Sequence, residues 1–480
     1  MKRFFLAGVL WLLAMPFAAA AVRLPHILSD GAVLEQSSDV RLWGWSDRPG
    51  KRLTVAASWG ERGSVVIADD GSWQVVIRTP EASFDRHSIV FDDGRRTELA
   101  DILIGEVWLC SGQSNMEMPV GGFWGCPVEG AAEALLAPDN DALRYFKVPR
   151  AAAMSPADDT AGGEWQRAAG ASVGGWSAVG YFFGEILQRK LGVPVGIVDS
   201  SWGGTPIESW IGLDRQRRFD DYDLAAEGIS ERPAEERWVR AASLYDGMIY
   251  PLRNYAIRGV AWYQGCSNTG RPTTYADKLA TMIGCWRDTF GREMPFYYVE
   301  IAPYDYGGGE APGSYPGSGA LLREQQQRVM SMAEHTGMVS TNDLVYDWER
   351  DQIHPRRKRE VAERLALWAL SDYGIEGLPT LGPVFDRAER EGSLMRVYYK
   401  NADDRLSLDG AIRGFEICGA DRVFHAAEAA REGFDSSTIL VWSDEVEEPV
   451  AVRYCFRNFL QGNVRSNYGL PALPFRSDDF

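Results

Sequence analysis

The sequence predicts an α/β fold: a parallel sheet with helices on both faces, preceded and followed in the chain by β-rich regions. Two observations carry that expectation. Between residues 101 and 375, strand-like apolar runs alternate with longer helix-like ones, the pattern of strands joined by covering helices. Residues 21–100 and 380–480 instead hold short strand-like runs with turn residues between them.

The chain opens with Lys2-Arg3, an apolar run from Phe4 to Leu13, and Phe17-Ala18-Ala19-Ala20. A basic start, a short apolar stretch and a small-residue exit read as a cleaved signal peptide over residues 1–20. The expectation is a secreted or periplasmic protein beginning near Ala21. No later apolar run is long enough to span a membrane.

Within 21–100, Val40–Trp45 reads as a strand. Val65–Ala68 and Trp73–Arg78 flank Asp69-Asp70-Gly71-Ser72, the signal of a hairpin, and a second Asp-Asp-Gly turn sits at 92–94. Such a run of strands suggests a small β-sandwich. In the middle region the strand candidates are Ile102–Leu109, Val195–Asp199, Ile257–Tyr263, Phe296–Ile301 and Met338–Thr341. The helix candidates are Val179–Lys190, Tyr275–Thr289, Leu321–Glu334 and Arg356–Ser371. In the last, Val361, Leu365 and Trp368 share one face, while Arg357, Lys358 and Arg364 read as polar positions. The Gly- and Pro-rich stretch from Gly307 to Gly319 reads as a loop, either rimming a site or passing over the surface. Met395–Tyr399, Gly414–Cys418, Thr438–Trp442 and Ala451–Phe456 are strand candidates of the last region.

The formal net charge is −17, about −19 once Lys2 and Arg3 leave with the signal. An acidic chain without a basic run is unsuited to nucleic acid or an anionic membrane surface. The six cysteines, at 110, 126, 266, 285, 418 and 455, show no CxxC spacing, which argues against a zinc knuckle. Cys418 and Cys455, both in strand-like segments near the end, are the first candidates for a disulfide.

Ligands of parallel sheets bind at the carboxyl ends of the strands, and candidate chemistry lies there. Trp108 to Met116 runs from a strand through Gly112-Gln113 to Ser114 and Asn115. Taken alone, Ser114 reads more readily as a turn or capping residue than as a nucleophile, because serine needs a base to be activated. His354, in Asp351-Gln352-Ile353-His354-Pro355 before a helix, is the candidate base. Asp351 is the candidate acid to orient it, with Asp343 and Asp347 as alternatives in the same loop. The other histidines, at 26, 87, 335 and 425, lie in the flanking β regions or at a helix end. Gly203-Gly204 and Asn268 follow two further strands and are candidate oxyanion donors. Gln113, Trp202 and Gln264 border these motifs as candidate substrate contacts. The chemistry calls for no metal or organic cofactor.

Ser, Gly, Asn and His-with-Asp, each after a different strand and in this order, resemble the SGNH hydrolases, named for those residues. The wording is closest to the sialate O-acetylesterases. Cys-Ser-Gly-Gln-Ser-Asn-Met at 110–116, Ser-Ser-Trp-Gly-Gly-Thr-Pro-Ile-Glu-Ser-Trp at 200–210 and Leu-Tyr-Asp-Gly-Met-Ile at 244–249 look like that family's motifs. So do Trp-Tyr-Gln-Gly-Cys-Ser-Asn at 262–268, Ile-His-Pro at 353–355 and the β segments of both flanks. The resemblance implies a flavodoxin-like three-layer α/β/α domain and removal of O-acetyl groups from a carbohydrate partner, sialic acid being the namesake. It implies Ser114 as nucleophile, His354 as base, and Asn268 with the backbone of Gly203, Gly204 and Ser114 around the oxyanion. This chain departs from the family at Cys266, where Glu is usual, at Asp246, where Asn is usual, and at Gln352, where an Asp is often found. Acetylated xylan is a rival substrate, and a non-catalytic sugar-binding protein a rival class. Trp202, Trp210, Trp262 and Tyr263 could stack on sugar rings, although core packing is the commoner fate of such residues.

Overall fold

The computed structural model describes residues 22–219, 240–307, 317–402, 405–408, 410–433 and 436–480. The signal-like segment 1–20 and residues 308–316 of the Gly- and Pro-rich stretch lie outside them.

Seven strands build the central sheet: β1 (Arg96–Gly112), β2 (Asn140–Lys147), β3 (Trp165–Ala168), β4 (Val195–Ser201), β5 (Gly259–Tyr263), β6 (Phe296–Val299) and β7 (Thr336–Val339). Their order is β3-β2-β4-β1-β5-β6-β7. All neighbours are parallel except the edge strand β3, which runs antiparallel to β2. With β2 and β3 set aside, the order in chain sequence is 2-1-3-4-5, the flavodoxin-type doubly wound arrangement. The switch point of such a sheet lies beside its first strand, and here that is β1, between β4 and β5.

Four longer helices cover the sheet: α1 (Ala178–Leu191), α2 (Tyr275–Phe290), α3 (Ser318–Arg328) and α4 (Lys358–Ser371). Strand side chains alternate between the faces. Trp108, Cys110, Ile197, Ala261 and Tyr297 pack with α1 and α4. Val107, Leu109, Val198, Val260, Trp262 and Tyr298 pack with α2 and with Leu322 of α3. Both faces are therefore buried, as a parallel sheet requires. None of the described helices is long and apolar enough to cross a membrane.

The first β region holds two sheets facing each other, with Trp73 of one meeting Phe91 of the other at 5.5 Å. The turn expected at 69–72 forms, closed by Gly71 N–H donating to Ala68 O, but the hairpin does not. Arg62–Val66 pairs with Arg52–Ala57, while Ser72–Arg78 pairs with Asp39–Ser46. The two strands stack across the sandwich instead, so closely that a Cβ on Gly63 would lie 2.6 Å from Val75 Cγ2. A turn signal fixes where the chain reverses, not whether its strands end side by side or face to face. The Asp-Asp-Gly turn at 92–94 does close a hairpin, pairing Asp92 with Arg96.

The last region forms two four-stranded antiparallel sheets and a two-stranded pair around its own core. It docks on α3: buried Arg323 donates to the Asn458 carbonyl, Gly319 N–H donates to Asn458 Oδ1 at 2.8 Å, and Arg476 grips Glu324 with two bonds. The expected Cys418–Cys455 disulfide is absent, and all six cysteines are free thiols. The register explains this: Cys418 faces Ala451, while Cys455 lies beyond Tyr454, which faces Phe415. The two thiols sit at opposite ends of one strand pair.

Candidate active site

The site assembles where β1, β4 and β5 end. Gly112, at φ +139°, closes β1 so near Tyr263 that a Cβ would lie 2.2 Å from its carbonyl oxygen. Only glycine fits there. The chain then turns into the short helix Ser114–Glu117, capped by Gln113, with half-buried Ser114 at its first position. The Ser114 N–H accordingly has no acceptor within the helix.

The segment after β4 leans on this turn. Trp202 N–H donates to Gly112 O at 3.0 Å. Gly203 lies against Ser114, since a Cβ on it would be 3.1 Å from Ser114 Cβ. Its N–H donates to Glu117 Oε2 at 2.8 Å, and Arg150 binds the same carboxylate at 2.7 Å. Of the two glycines expected to hold an oxyanion, Gly203 thus has its N–H engaged. Gly204, at φ +76°, has no such acceptor among the described residues.

After β5, a 3-10 turn brings up Asn268, which is 2% exposed. Its Oδ1 accepts from Ile207 N–H at 3.0 Å and Gln264 Nε2 at 2.7 Å. One amide N–H goes to Glu208 Oε2 at 2.9 Å; the amide carries two, and the second has no protein acceptor among the described residues. Glu208 is fully buried and is held by Lys278 Nζ at 2.9 Å. The support of Asn268 therefore comes from Glu208 and Gln264. Cys266 contributes elsewhere, its sulfur accepting from the Tyr306 hydroxyl at 3.1 Å, with burial raising its thiol pKa.

Gln113 and Gln264 are built into this scaffold. Gln113 Oε1 accepts from Gly265 N–H at 3.0 Å, tying the ends of β1 and β5 together. Gln264 is fully buried, with its amide bonded to Thr205 O, Asn268 and Tyr275. Trp210, Trp262 and Tyr263 are core residues. Trp202 is half-buried at the rim, 5.6 Å under the Arg150 guanidinium.

His354 sits in the loop before α4. Its Nε2 is buried without a hydrogen-bond partner among the described residues, and its ring meets Phe123 edge-on at 5.2 Å. Burial, reinforced by the charge of Lys358, pulls the imidazole pKa down to about 4, so the ring is neutral and able to accept a proton at neutral pH. Asp351 shares a cavity of about 230 Å³ with His354, yet it is exposed and makes no hydrogen bond to the ring. Asp347 is exposed at the start of a 3-10 turn. Asp343 is committed to Arg364 through bonds of 2.7 and 2.8 Å. Cavities of about 320, 390 and 430 Å³ lie elsewhere on the surface, so size alone does not mark the site.

What joins the serine turn to the histidine loop is a pair of residues that sequence reasoning missed. Asn115 Nδ2 donates to the Ile353 carbonyl at 3.0 Å, and Lys358 Nζ donates to Asn115 Oδ1 at 2.6 Å. Lys358 was expected on the polar side of α4 but is fully buried. The spacing contains the reason: Lys358 precedes Val361 by three positions and Leu365 by seven, which puts it on their stripe. Burial pushes its pKa down to about 7.

Residues 104–370 match the protein family described as carbohydrate esterase, sialic acid-specific acetylesterase. The sialate O-acetylesterase of Pongo abelii is 28% identical over 468 residues, spanning 90% of this chain and 86% of its own. The human sialate O-acetylesterase is 28% identical over 410 residues, spanning 78% and 76%. Among solved structures, a carbohydrate acetylesterase from Xanthomonas citri superposes with a TM-score of 0.85 at 34% identity, covering 96% of this chain and 100% of that one.

Proposed function

Because the chain belongs to the carbohydrate esterases described as the sialic acid-specific acetylesterase family, we propose that it removes acetyl groups from sugar hydroxyls by an SGNH-type mechanism, through an acetyl-serine intermediate. The observation that carries the mechanism is the Asn115 amide, which links the residue after Ser114 to the carbonyl before His354. Two segments far apart in sequence are thereby held as one site.

In the proposed reaction Ser114 Oγ attacks the acetyl carbonyl carbon while His354 Nε2 takes its proton. The carbonyl oxygen becomes an oxyanion, received by the N–H groups of Ser114 and Gly204 and the uncommitted N–H of Asn268. Collapse breaks the ester C–O bond, and His354 returns the proton to the departing sugar oxygen. Water then repeats the sequence on acetyl-Ser114 and releases acetate. Asp351 is assigned a supporting role at the cavity rim, with weaker leverage on His354 than a buried, hydrogen-bonded triad acid.

O-acetylated sialic acid is the first substrate to test, because the mammalian relatives carry that activity in their names. The Xanthomonas citri relative is named a carbohydrate acetylesterase, with no sugar specified, and acetylated xylan is the second reading. Export through the signal-like segment 1–20 would put the enzyme where either is met. In the decisive experiment Ser114→Ala abolishes hydrolysis of 4-nitrophenyl acetate; hydrolysis at the wild-type rate would remove Ser114 from the mechanism. Acetate release from acetylated sialic acid and from acetylated xylan then separates the two substrates.

A further inference from the structure

Among the described residues, the large apolar side chain most open to water is Trp124, at 101% relative exposure. It stands at the tip of a two-residue turn closed by reciprocal backbone bonds between Phe123 and Cys126, at 3.0 and 2.9 Å. Gly125 has φ +74°, the left-handed conformation that the third position of a type II turn requires. Gly122 runs so close to the Cys126 carbonyl that a Cβ would lie 2.5 Å from its oxygen. Both stems of the turn are anchored on the histidine loop. Phe123 packs on the His354 ring, and Cys126 Sγ bonds Gln352 Oε1 at 3.2 Å. The indole is thus carried on a fixed support beside the candidate base, with nothing among the described residues covering it.

We propose that Trp124 is a stacking platform for a pyranose ring of the carbohydrate bearing the acetyl group, so that the preferred substrate is an oligo- or polysaccharide chain rather than a free monosaccharide. This rests on the esterase function proposed above. A pyranose presents C–H groups on its faces and hydroxyls around its edge, and the electron-rich face of an indole attracts the former. The cavity holding His354 measures about 230 Å³, below the roughly 300–1,000 Å³ of pockets that enclose a whole drug-sized ligand. A cavity of that size has no room for a second ring of a chain. The next ring of a chain must leave the cavity, and Gly125, Cys126 and Pro127 of the Trp124 turn form one of its walls. Another lining residue, Trp348, also has an exposed indole, but Tyr346 stacks on it at 5.3 Å and the Arg356 guanidinium lies 4.2 Å from its centre. Trp124 is the platform with an open face.

The test compares wild type with Trp124→Ala as full chains, on acetylated xylotetraose and on 4-nitrophenyl acetate. In the variant, KM for the oligosaccharide rises roughly tenfold relative to KM for the aryl ester, while kcat on the oligosaccharide changes far less. Trp124→Tyr recovers most of the lost ratio. An unmoved ratio overturns the platform, as does a Trp124→Ala variant whose only change is loss of a dimer in sedimentation, which would make the indole a self-association contact. Wild type separates the two readings: activity on 4-nitrophenyl acetate but on no acetylated carbohydrate defeats the esterase reading itself.

Discussion

Lys358 Nζ donates to Asn115 Oδ1 at 2.6 Å, and through this contact the first turn of α4 grips the residue next to Ser114. The other end of the same amide holds the Ile353 carbonyl. Both polar ends of Asn115 are therefore spent on joining the histidine loop to the serine turn, and the join is buried. Lys358→Met preserves most of the side-chain volume but removes the donor. We expect kcat/KM on 4-nitrophenyl acetate to fall by up to about 10²-fold, the scale of a small misplacement of reacting groups. Circular dichroism should still report a folded chain. Wild-type activity in Lys358→Met would show that the Ile353 contact alone aligns the site.

The same lysine gives a stability signature with a definite sign. Its pKa is about 7 in the fold against an ordinary 10.5. Between those values the unfolded chain binds a proton that the folded chain does not, so stability rises with pH across that window. From pH 7 to 9, the melting temperature of wild type should rise relative to that of Lys358→Met.

In the proposed mechanism His354 sets the acid limb of activity. With its pKa at about 4 rather than 6.5, the imidazole stays neutral through mildly acidic pH. The log of kcat/KM should hold its plateau down to about pH 4 and fall below it, because only the neutral ring can take the serine proton. A limb near pH 6.5 would mean that the ring is solvated or paired with a carboxylate in the working enzyme.

Asp351 and Asp343 should separate activity from stability. Asp351 is exposed and unbonded to His354, so Asp351→Asn should lower kcat by no more than about tenfold, against roughly 10⁴-fold for a buried triad acid. Asp343 is buried against Arg364. Asp343→Asn should leave that guanidinium poorly paired and destabilise the fold by roughly 3 kcal/mol in urea unfolding.

Glu117 should matter to catalysis without touching substrate. Its carboxylate holds Gly203 N–H and Arg150 together beside Ser114. Glu117→Ala removes a charged acceptor from both, and kcat should fall roughly tenfold as the Trp202–Gly203 segment loosens. Glu117→Gln keeps an oxygen for Gly203 and should recover part of the rate.

Five of the seven central strands and the four longer helices were legible because each carries its own apolar period, and Val195, Tyr275 and Tyr263 begin or end elements where the pattern places them; the strands Asn140–Lys147 and Trp165–Ala168 at one edge of the sheet were not. The partners of the first β region were less legible: the turn at 69–72 exists, yet its strands belong to different sheets. At the candidate site, motifs picked out Ser114, Asn268 and His354, whereas what holds those side chains in place could not be read from them. Asn115, Glu117, Glu208 and Lys358 look like ordinary surface residues until tertiary contacts bury them or pair them. Lys358 is the instructive case, since an apolar period scores lysine as outward even on the inward stripe.

The seventeen residues of β1 are paired at both ends with different partners. Near its start the strand runs beside Val33–Glu35 and Ser83–Asp92, and near its finish beside β4 and β5. It is one continuous strand shared by two bodies, with its regularity broken at Asp101, whose φ is +56°. No hinge can open between the first β region and the esterase domain without bending the rod on whose tip Ser114 is mounted. A cut near residue 100 would leave Ser114 on a cantilever with its far support gone.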